Sequence, residues 1–317
     1  MADDKGNLYI SLRCTEEGRI VSNQLVKVLA SGELSVITDL GAIDPGMSGI
    51  LGLAVDSDGY IYCAFPCGDE RHGIWRISPT GEKERLSGSE RIVMPNAIAL
   101  DGANNVYVTD SDPFEQGQAG VWVLTRETGS FEPWCHDPLV RSDPANPNGG
   151  LPLPGANGIA FVPPNHLYVA NTEKSLIAEI LIREDGKAGE VSLVAGNSHL
   201  LTTLDGLIAD AMGYLYTVIP IATVDLSPEM GGPLPPMSPV VRINLQDGQI
   251  EPLLDVHAFP DKEYFDFPTS LSLRSSSQYG ITVFVSSMGS VNYNFPPGTG
   301  AKLTRLEIGN ASDSCEE

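Results

Sequence analysis

Residues 204–216 read LDGLIADAMGYLY, and this stretch holds the pattern that decides the fold. The pattern is a polar residue, a short apolar run, a turn with Gly or Asn, and a second apolar run that contains an aromatic residue. It returns with other residues at 51–62, 96–108 and 157–169, and more loosely at 269–285. Short apolar runs separated by turn residues indicate paired β-strands rather than helices.

The spacing of these copies predicts the architecture. The residue that begins each copy, called the lead position below, is Leu51, Asn96, Asn157, Asp205 or Thr269. Successive lead positions lie 45, 61, 48 and 64 residues apart, which is the spacing of propeller blades with some long loops. We therefore expect an all-β fold.

A sixth copy is incomplete. Residues 5–11 match the second half of the pattern, and its first half would precede or overlap Met1. Six units in 317 residues give about 53 residues each, enough for four short strands and their turns. The sequence predicts a six-bladed β-propeller with four-stranded blades, forming a single domain over residues 1–317, whose first blade lacks its innermost strand.

Charge and composition exclude several classes of partner. The chain has 41 acidic and 19 basic residues and a formal net charge of -22, which repels nucleic acid and anionic membrane surfaces. No segment approaches the roughly 18 apolar residues that would span a bilayer, and no leader pattern opens the given sequence. We expect a cytoplasmic protein with a small-molecule substrate and neither nucleic acid nor membrane as partner; the sequence leaves its oligomeric state open.

The cysteines do not form the pattern of a disulfide framework. They are five in number and widely scattered, whereas frameworks use even numbers at regular spacing. Cys63 lies within a predicted strand, and we expect it to be a buried free thiol, with a bridge or a shared soft metal at Cys67 as the alternatives. This composition favours a reducing compartment.

Three loop segments are expected to surround one mouth of the propeller. Residues 137–154, 220–239 and 288–300 are rich in Pro, Gly, Asn or Met and cannot hold a strand ladder. In a four-stranded blade, the start of the innermost strand lies on the same face as the connection between the second and third strands. Long loops gathered on one face are typical of a ligand site.

Polar side chains at the lead positions predict a metal site on that face. Taken singly, Asn96, Asn157 and Asp205 could simply bond their own backbone, as Asn and Asp often do at the start of a strand. Their shared repeat position instead predicts that their oxygen atoms converge on the central axis. Carboxylate and amide oxygens suit a hard cation, Ca²⁺ first, with Zn²⁺, Mn²⁺ or Mg²⁺ as alternatives.

A family resemblance supports this prediction. The ordered motifs are Asn96, Asn157-Gly158, Asp205-Gly206 and Pro268-Thr269-Ser270-Leu271. Together with the blade pattern, which spans nearly the whole chain, they resemble the senescence marker protein 30/gluconolactonase/luciferin-regenerating-enzyme family of six-bladed propellers. The resemblance implies a divalent-metal-dependent hydrolase of a lactone or related ester.

The resemblance also implies roles for individual residues. Asn157 and Asp205 would ligate the metal, and Asn96 would lie near the metal or the substrate. Asp205 would also be the catalytic residue, as a base or a group that orients water. Thr269 and Ser270 would contact the substrate beside Asn96.

The chain departs from the family's pattern at two positions. The family's first metal ligand, a Glu at the start of the innermost strand of blade 1, would fall before Met1. In addition, Met94-Pro95 precede Asn96 where the lactonase branch carries an Arg.

Two other functions remain open on the sequence. The first is a non-catalytic propeller that binds a small molecule or a protein and uses the metal only for structure; removing the metal would then lower stability without abolishing any turnover. The second is a strictosidine-synthase-like enzyme, which would need a carboxylate at the axis rather than a metal.

Overall fold

The computed structural model describes residues 1, 3, 6–16, 19–29, 31–44, 47–113, 120–143, 153–223, 238–254, 267–276, 280–287 and 302–308. Within these ranges the chain consists of antiparallel strands, their turns and three short 3-10 helices. The helices are Ser89–Arg91, His199–Leu201 and Pro220–Thr223. The predicted all-β class is confirmed.

The chain divides into two compact units, Met1–Leu193 and Val194–Glu317. The first sheet contains β1 (Leu8–Glu16), β2 (Arg19–Val28) and β3 (Leu34–Asp39). The second contains β4 (Leu53–Val55), β5 (Ile61–Phe65), β6 (Gly73–Ile77) and β7 (Lys83–Arg85). The third contains β8 (Pro95–Leu100), β9 (Val106–Asp110), β10 (Val121–Leu124) and β11 (Phe131–Cys135). The fourth contains β12 (Ala156–Val162), β13 (His166–Asn171), β14 (Leu176–Ile182) and β15 (Ala188–Ala195).

The second unit contains the last two sheets. The fifth contains β16 (Leu207–Ala209), β17 (Tyr214–Val218), β18 (Val240–Asn244) and β19 (Ile250–Pro252). The sixth contains β20 (Pro268–Ser276), β21 (Gly280–Ser287) and β22 (Lys302–Ile308). In every sheet the strands are neighbours in the order of the sequence, which is the up-and-down connection of propeller blades.

The six sheets are the six blades that the repeat predicts. Four of them have four strands in the described residues, and the first and sixth have three. The sixth shows the three strands predicted from its sequence, whereas the lack of an innermost strand in the first blade stays a prediction. The single domain over residues 1–317 stays a prediction.

Apolar side chains fill the spaces between neighbouring blades. Between the second and third blades, Tyr62 and Ile74 belong to one buried cluster with Val106 and Trp122. Similar clusters join the first blade to the second, the third to the fourth, and the fifth to the sixth. Burial of these faces against the next blade supplies the stability of each sheet, as in other repeat folds.

The cysteines of the described ranges are free thiols. Cys63 is fully buried, as predicted, and its burial raises the pKa of the thiol to about 12. Cys67 and Cys135 are also buried, whereas Cys14 is exposed. A buried thiol with a raised pKa is a packing group rather than a nucleophile.

An aspartate clamp closes the turn between the first two strands of several blades. In the third blade, Asp101 Oδ1 accepts hydrogen bonds from the backbone N–H groups of Ala103 and Asn105, both at 2.9 Å. Its Oδ2 accepts from the Tyr107 hydroxyl at 3.2 Å. The same contact joins Asp56 to Tyr62 at 3.2 Å. It joins Asp210 to Tyr216 at 2.9 Å and Asp3 to Tyr9 at 3.1 Å. The Asp and the Tyr of each of these copies therefore form a hydrogen-bonded pair that stabilises the turn.

Replacing Asp101 with alanine is expected to lower the free energy of unfolding by about 2 kcal/mol, because the buried Tyr107 hydroxyl and two turn N–H groups lose their acceptor. Urea titration followed by Trp fluorescence measures the change. Asp58→Ala is the control, since Asp58 is exposed in the corresponding turn of the preceding blade. Equal midpoints for the two variants would contradict the role of the clamp.

Candidate functional site

The lead positions lie at irregularities of the innermost strands. In the third blade, the register between β8 and β9 shifts between Pro95 and Ile98, on either side of Asn96. The register between β12 and β13 shifts between Ala156 and Ile159, around Asn157. A third shift lies between Pro268 and Ser270, at Thr269. Bulges of this kind redirect a side chain out of the sheet's regular alternation and recur beside functional sites.

A glycine after the lead position lets neighbouring blades approach closely. The N–H of Gly52 donates to the carbonyl oxygen of Asn96 at 2.8 Å. A Cβ at Gly52 would lie 2.2 Å from that oxygen and 2.7 Å from the Cα of Ala97. In the second unit, Gly206 donates in the same way to the carbonyl oxygen of Thr269 at 3.1 Å. The backbones of consecutive innermost strands are thus joined directly at these two positions.

Between the third and fourth blades a hydroxyl replaces this direct bond. Ala97 stands where three of the other copies have glycine, and its N–H donates to Thr109 Oγ1 at 2.9 Å. Thr109 Oγ1 in turn donates to the carbonyl oxygen of Asn157 at 2.6 Å. Thr109 is fully buried. The Ala97 N–H, the Thr109 hydroxyl and the Asn157 carbonyl oxygen each have a hydrogen-bond partner within the protein.

The side-chain amides of Asn96 and Asn157 are brought into direct contact. Asn96 Nδ2 donates to Asn157 Oδ1 at 2.8 Å and to Ser111 Oγ at 2.9 Å. Asn157 Nδ2 donates to Thr172 Oγ1 at 2.9 Å. The Ser111 hydroxyl donates to the carbonyl oxygen of Ala156 at 2.6 Å. The two blades are therefore connected by one chain of polar side chains.

The hydrogen bonds among these side chains leave lone pairs free on the two amide oxygens. Asn157 is 4% exposed and Asn96 is half-buried. Asn157 Oδ1 accepts one hydrogen bond, and a carbonyl oxygen has two lone pairs. Among the residues that the structure describes, no group donates to Asn96 Oδ1. Neutral oxygens with free lone pairs can coordinate a hard cation or accept a hydrogen bond from a hydroxyl group of a ligand.

A buried carboxylate is next in sequence to one of these hydrogen-bonded side chains. Asp110 precedes Ser111, is 3% exposed, and accepts hydrogen bonds from the backbone N–H groups of Val93 and Met94 at 3.1 and 2.8 Å. Its burial, with the nearby charge of Asp112, raises the pKa of this carboxyl above the ordinary value. Desolvation outweighs the two backbone hydrogen bonds.

Glu173 follows Thr172 in the fourth blade, at the position that Asp112 has after Ser111 in the third. Its Oε2 accepts the N–H of Asp143 at 2.7 Å. Burial raises its pKa, although the Asp143 N–H and the charge of Lys174 act in the opposite direction. In both blades, therefore, the hydroxyl residue has a neighbour in the sequence whose carboxyl group is partly shielded from water.

The second unit contains the remaining predicted site residues. Asp205 is half-buried, and its N–H donates to the carbonyl oxygen of Val218 at 3.0 Å. Thr269 is half-buried and Ser270 is exposed. A Cβ at Gly206, next to Asp205, would lie 2.8 Å from the Cα of Ser270. The structure therefore places these three residues at adjoining innermost strands within this unit.

The backbone before Asp205 and Thr269 adopts a conformation that costs energy. Thr203 and Phe267, each two residues before the lead position, have φ values of 60° and 59°. Gly49, at the same repeat position before Leu51, has φ 72°. Glycine adopts this left-handed region freely, whereas a β-branched or aromatic residue there is strained by about 1 to 3 kcal/mol.

The structure reveals site residues that the sequence reading missed. Ser111 and Thr172 each lie fifteen residues after the asparagine to which they bond. The repeated spacing of Asn and a hydroxyl residue in two blades was the available signal. Within the described ranges, no three His, Cys, Asp or Glu side chains are grouped so that they could hold a metal ion.

Most of the predicted mouth loops lie outside the described residues: 144–152, 224–237 and 288–300. Their arrangement around the site stays a prediction. Among the residues that the structure describes, no apolar helix reaches the length needed to cross a bilayer.

Comparison with known proteins supports the fold. No family model and no curated protein matches the chain. Among solved structures, a gluconolactonase from Xanthomonas campestris superposes with a TM-score of 0.54 at 16% identity, covering 89% of this chain and 79% of that one. Virginiamycin B lyase from Staphylococcus aureus gives 0.54 at 14% identity, covering 97% and 83%.

A chain of the nidogen/laminin complex gives a TM-score of 0.56 at 16% identity, covering 95% of this chain and 98% of that one. At such identities the likeness concerns the fold and leaves the chemistry open. With the six sheets described above, it identifies the chain as a six-bladed β-propeller of the gluconolactonase-like fold.

Proposed function

We propose that this protein hydrolyses a lactone or a related ester and that a divalent cation, Ca²⁺ first, takes part. The observation that carries the proposal is the contact between Asn96 and Asn157, whose oriented amides retain free lone pairs on their oxygens. The occurrence of gluconolactonases among the structural neighbours gives it a reaction class.

The donor set fits a hard cation. Amide oxygens are common ligands of Ca²⁺, which also accepts carboxylate and water oxygens. In the proposal Asn157 is a ligand of the cation, and Asn96 contributes its Oδ1 to the cation or to the substrate. Asp205 as a further ligand stays a prediction from the sequence. When bound, the cation would polarise the substrate carbonyl and make a water molecule more acidic.

The chain's own residues position the reactants in this proposal. Asp205 keeps the role that the family resemblance implies, as the base or the group that orients the attacking water. Thr269 and Ser270 hold the substrate through their hydroxyl or backbone groups. Met94 and Pro95 stand before Asn96 where the lactonase branch has an Arg, so the substrate class is left as a lactone or ester without a sugar requirement.

A non-catalytic binding propeller is the second candidate. The chain of the nidogen/laminin complex shares the fold over nearly its full length, so this architecture also occurs in a protein–protein complex. In that case a cation would support the structure and no turnover would depend on it.

Chelation separates the two candidates. Purified protein is analysed for bound metals, then assayed on a panel of aliphatic, aromatic and sugar lactones and aryl esters before and after EDTA, and again after Ca²⁺ is restored. We expect turnover that is lost on chelation and recovered with the cation. A lower melting temperature after EDTA, with no turnover in any state, would favour the binding propeller.

Substitution of Asp205 tests the assigned residue. Asp205→Asn is expected to lower kcat at least tenfold, because it removes the carboxylate charge while keeping the shape of the side chain. Asp247→Asn is the matched control, since Asp247 is exposed in the turn between β18 and β19. Equal turnover and metal content in both variants would contradict the role of Asp205.

A further inference from the structure

We infer that Ser111 and Thr172 are positioning residues that fix the direction of the Asn96 and Asn157 amides, so that the site offers amide oxygens rather than N–H groups as its free acceptors. The inference deepens the proposed function and rests on it for the nature of the ligand. Which atom donates and which accepts in each of these hydrogen bonds follows from the contacts alone.

The direction of the chain begins at Ser111. A hydroxyl group has one hydrogen to donate, and the Ser111 hydrogen goes to the carbonyl oxygen of Ala156 at 2.6 Å. A backbone carbonyl can only accept. Ser111 Oγ must therefore accept from the Asn96 side-chain atom that lies 2.9 Å away, and that atom must be Nδ2.

The same reasoning then fixes Asn157. The second hydrogen of Asn96 Nδ2 points to the Asn157 side-chain atom at 2.8 Å, which must accept and is therefore Oδ1. The nitrogen of Asn157 consequently faces Thr172 Oγ1 at 2.9 Å. An amide that could otherwise rotate by 180° is held in one of its two orientations at both residues.

The surroundings make this orientation costly to reverse. Ser111 is fully buried, and Thr172 and Asn157 are 5% and 4% exposed. Rotating the Asn96 amide would direct its oxygen at Ser111 Oγ, whose hydrogen is already given to Ala156, and would oppose two oxygens without a hydrogen between them. Buried groups left in that state lose most of a hydrogen bond.

The fixed orientation of the two amides limits which groups of a ligand can bind to them. Asn96 Oδ1 and the second lone pair of Asn157 Oδ1 accept from, or coordinate, whatever binds there. A cation or a hydroxyl group fits these atoms, whereas a carbonyl or carboxylate oxygen does not. Loss of either hydroxyl at Ser111 or Thr172 would allow an amide N–H to turn toward the ligand and weaken cation binding.

The polarity can be tested without any ligand by NMR of protein labelled with ¹⁵N at asparagine. The side-chain amide signals of Asn96 and Asn157 are assigned from their loss in Asn96→Asp and Asn157→Asp. Ser111→Ala is expected to shift one of the two Asn96 amide protons upfield and to speed its exchange with solvent. Ser57→Ala is the control, since Ser57 is exposed in the turn between β4 and β5.

A second pair of variants keeps the test independent of folding defects. Thr172→Val removes the hydroxyl at nearly constant volume, whereas Thr172→Ser keeps it. With Ca²⁺ alone as the probe in titration calorimetry, Thr172→Val is expected to bind about tenfold more weakly than the wild type, and Thr172→Ser about as well. Circular dichroism checks that both variants are folded.

The outcomes are distinguishable. Unchanged Asn96 amide protons in Ser111→Ala, equal to those in Ser57→Ala, would overturn the positioning role, as would equal Ca²⁺ affinities for the two Thr172 variants. A wild-type protein that takes up no Ca²⁺, with the Asn96 protons shifted as expected, would overturn the cation in the proposed function while supporting the role of Ser111.

Discussion

Gly52→Ala is expected to destabilise the first unit by about 3 kcal/mol, a large effect for adding one methyl group. The added Cβ would lie 2.2 Å from the carbonyl oxygen of Asn96 and 2.7 Å from the Cα of Ala97. Both atoms belong to the backbone, so no side-chain rotation can relieve the clash. The N–H of Gly52 would also be drawn away from the Asn96 carbonyl oxygen, to which it now donates at 2.8 Å.

Urea titration of the wild type and of two alanine variants measures this effect. Gly102→Ala is the matched control, because a Cβ at Gly102 would meet no atom within 4 Å. We expect the control to unfold within about 0.5 kcal/mol of the wild type. If Gly52→Ala behaved like the control, the close approach of the second and third blades would not be a requirement of the fold.

Asp110→Ala is expected to cost about 2 to 4 kcal/mol, because the backbone N–H groups of Val93 and Met94 would lose their buried acceptors. Asp110→Asn should cost less, since it retains one carbonyl oxygen for one of the two donors. Urea titration at neutral pH ranks the variants. Equal stability of the alanine and asparagine variants would show that the two N–H groups find other partners.

The same residue predicts a dependence on pH. Burial raises the pKa of Asp110 in the folded protein, so the native state binds this proton more readily than the unfolded chain does. The resulting stabilisation is complete below the ordinary Asp pKa of about 3.9 and is lost as the pH rises through the raised value. We expect the stability of the wild type relative to Asp110→Asn to increase as the pH falls toward about 3.9.

The blade repeat could be predicted because each copy repeats the same physical requirements. An apolar run fills the space between blades, an aspartate closes the turn, and a tyrosine follows the aspartate six residues later. The pairs Asp56–Tyr62, Asp101–Tyr107 and Asp210–Tyr216 carry this signal in the sequence, and the structure joins each pair by a hydrogen bond.

The length of the first hairpin could not be predicted in this way. The sequence indicated strands over 7–12 and 25–30, whereas β1 and β2 extend over Leu8–Glu16 and Arg19–Val28. The added part is polar, with Arg13 paired to Asn23 and Cys14 to Ser22. Strand pairing there is maintained by the partner strand rather than by an apolar pattern, and a single-sequence pattern does not record it.

Half of the candidate site was visible in the sequence. The lead positions pointed to Asn96 and Asn157, and the structure brings their side chains into contact. Ser111 and Thr172 were missed because serine and threonine are frequent at strand ends for many reasons. Only the register between the first two strands of each blade shows that these hydroxyls face the asparagines.

The hydrogen bonds through Thr109 that join the third and fourth blades imply that two sequence positions change together. Where glycine follows the lead position, as at Gly52 and Gly206, the residue twelve places later is apolar: Ala64 and Val218. Where alanine follows it, at Ala97, the residue twelve places later is Thr109, which carries the bond across the wider gap. In related chains, a methyl group gained at the first position should accompany a hydroxyl at the second, since without the hydroxyl the two backbone groups that Thr109 joins would lose their partner.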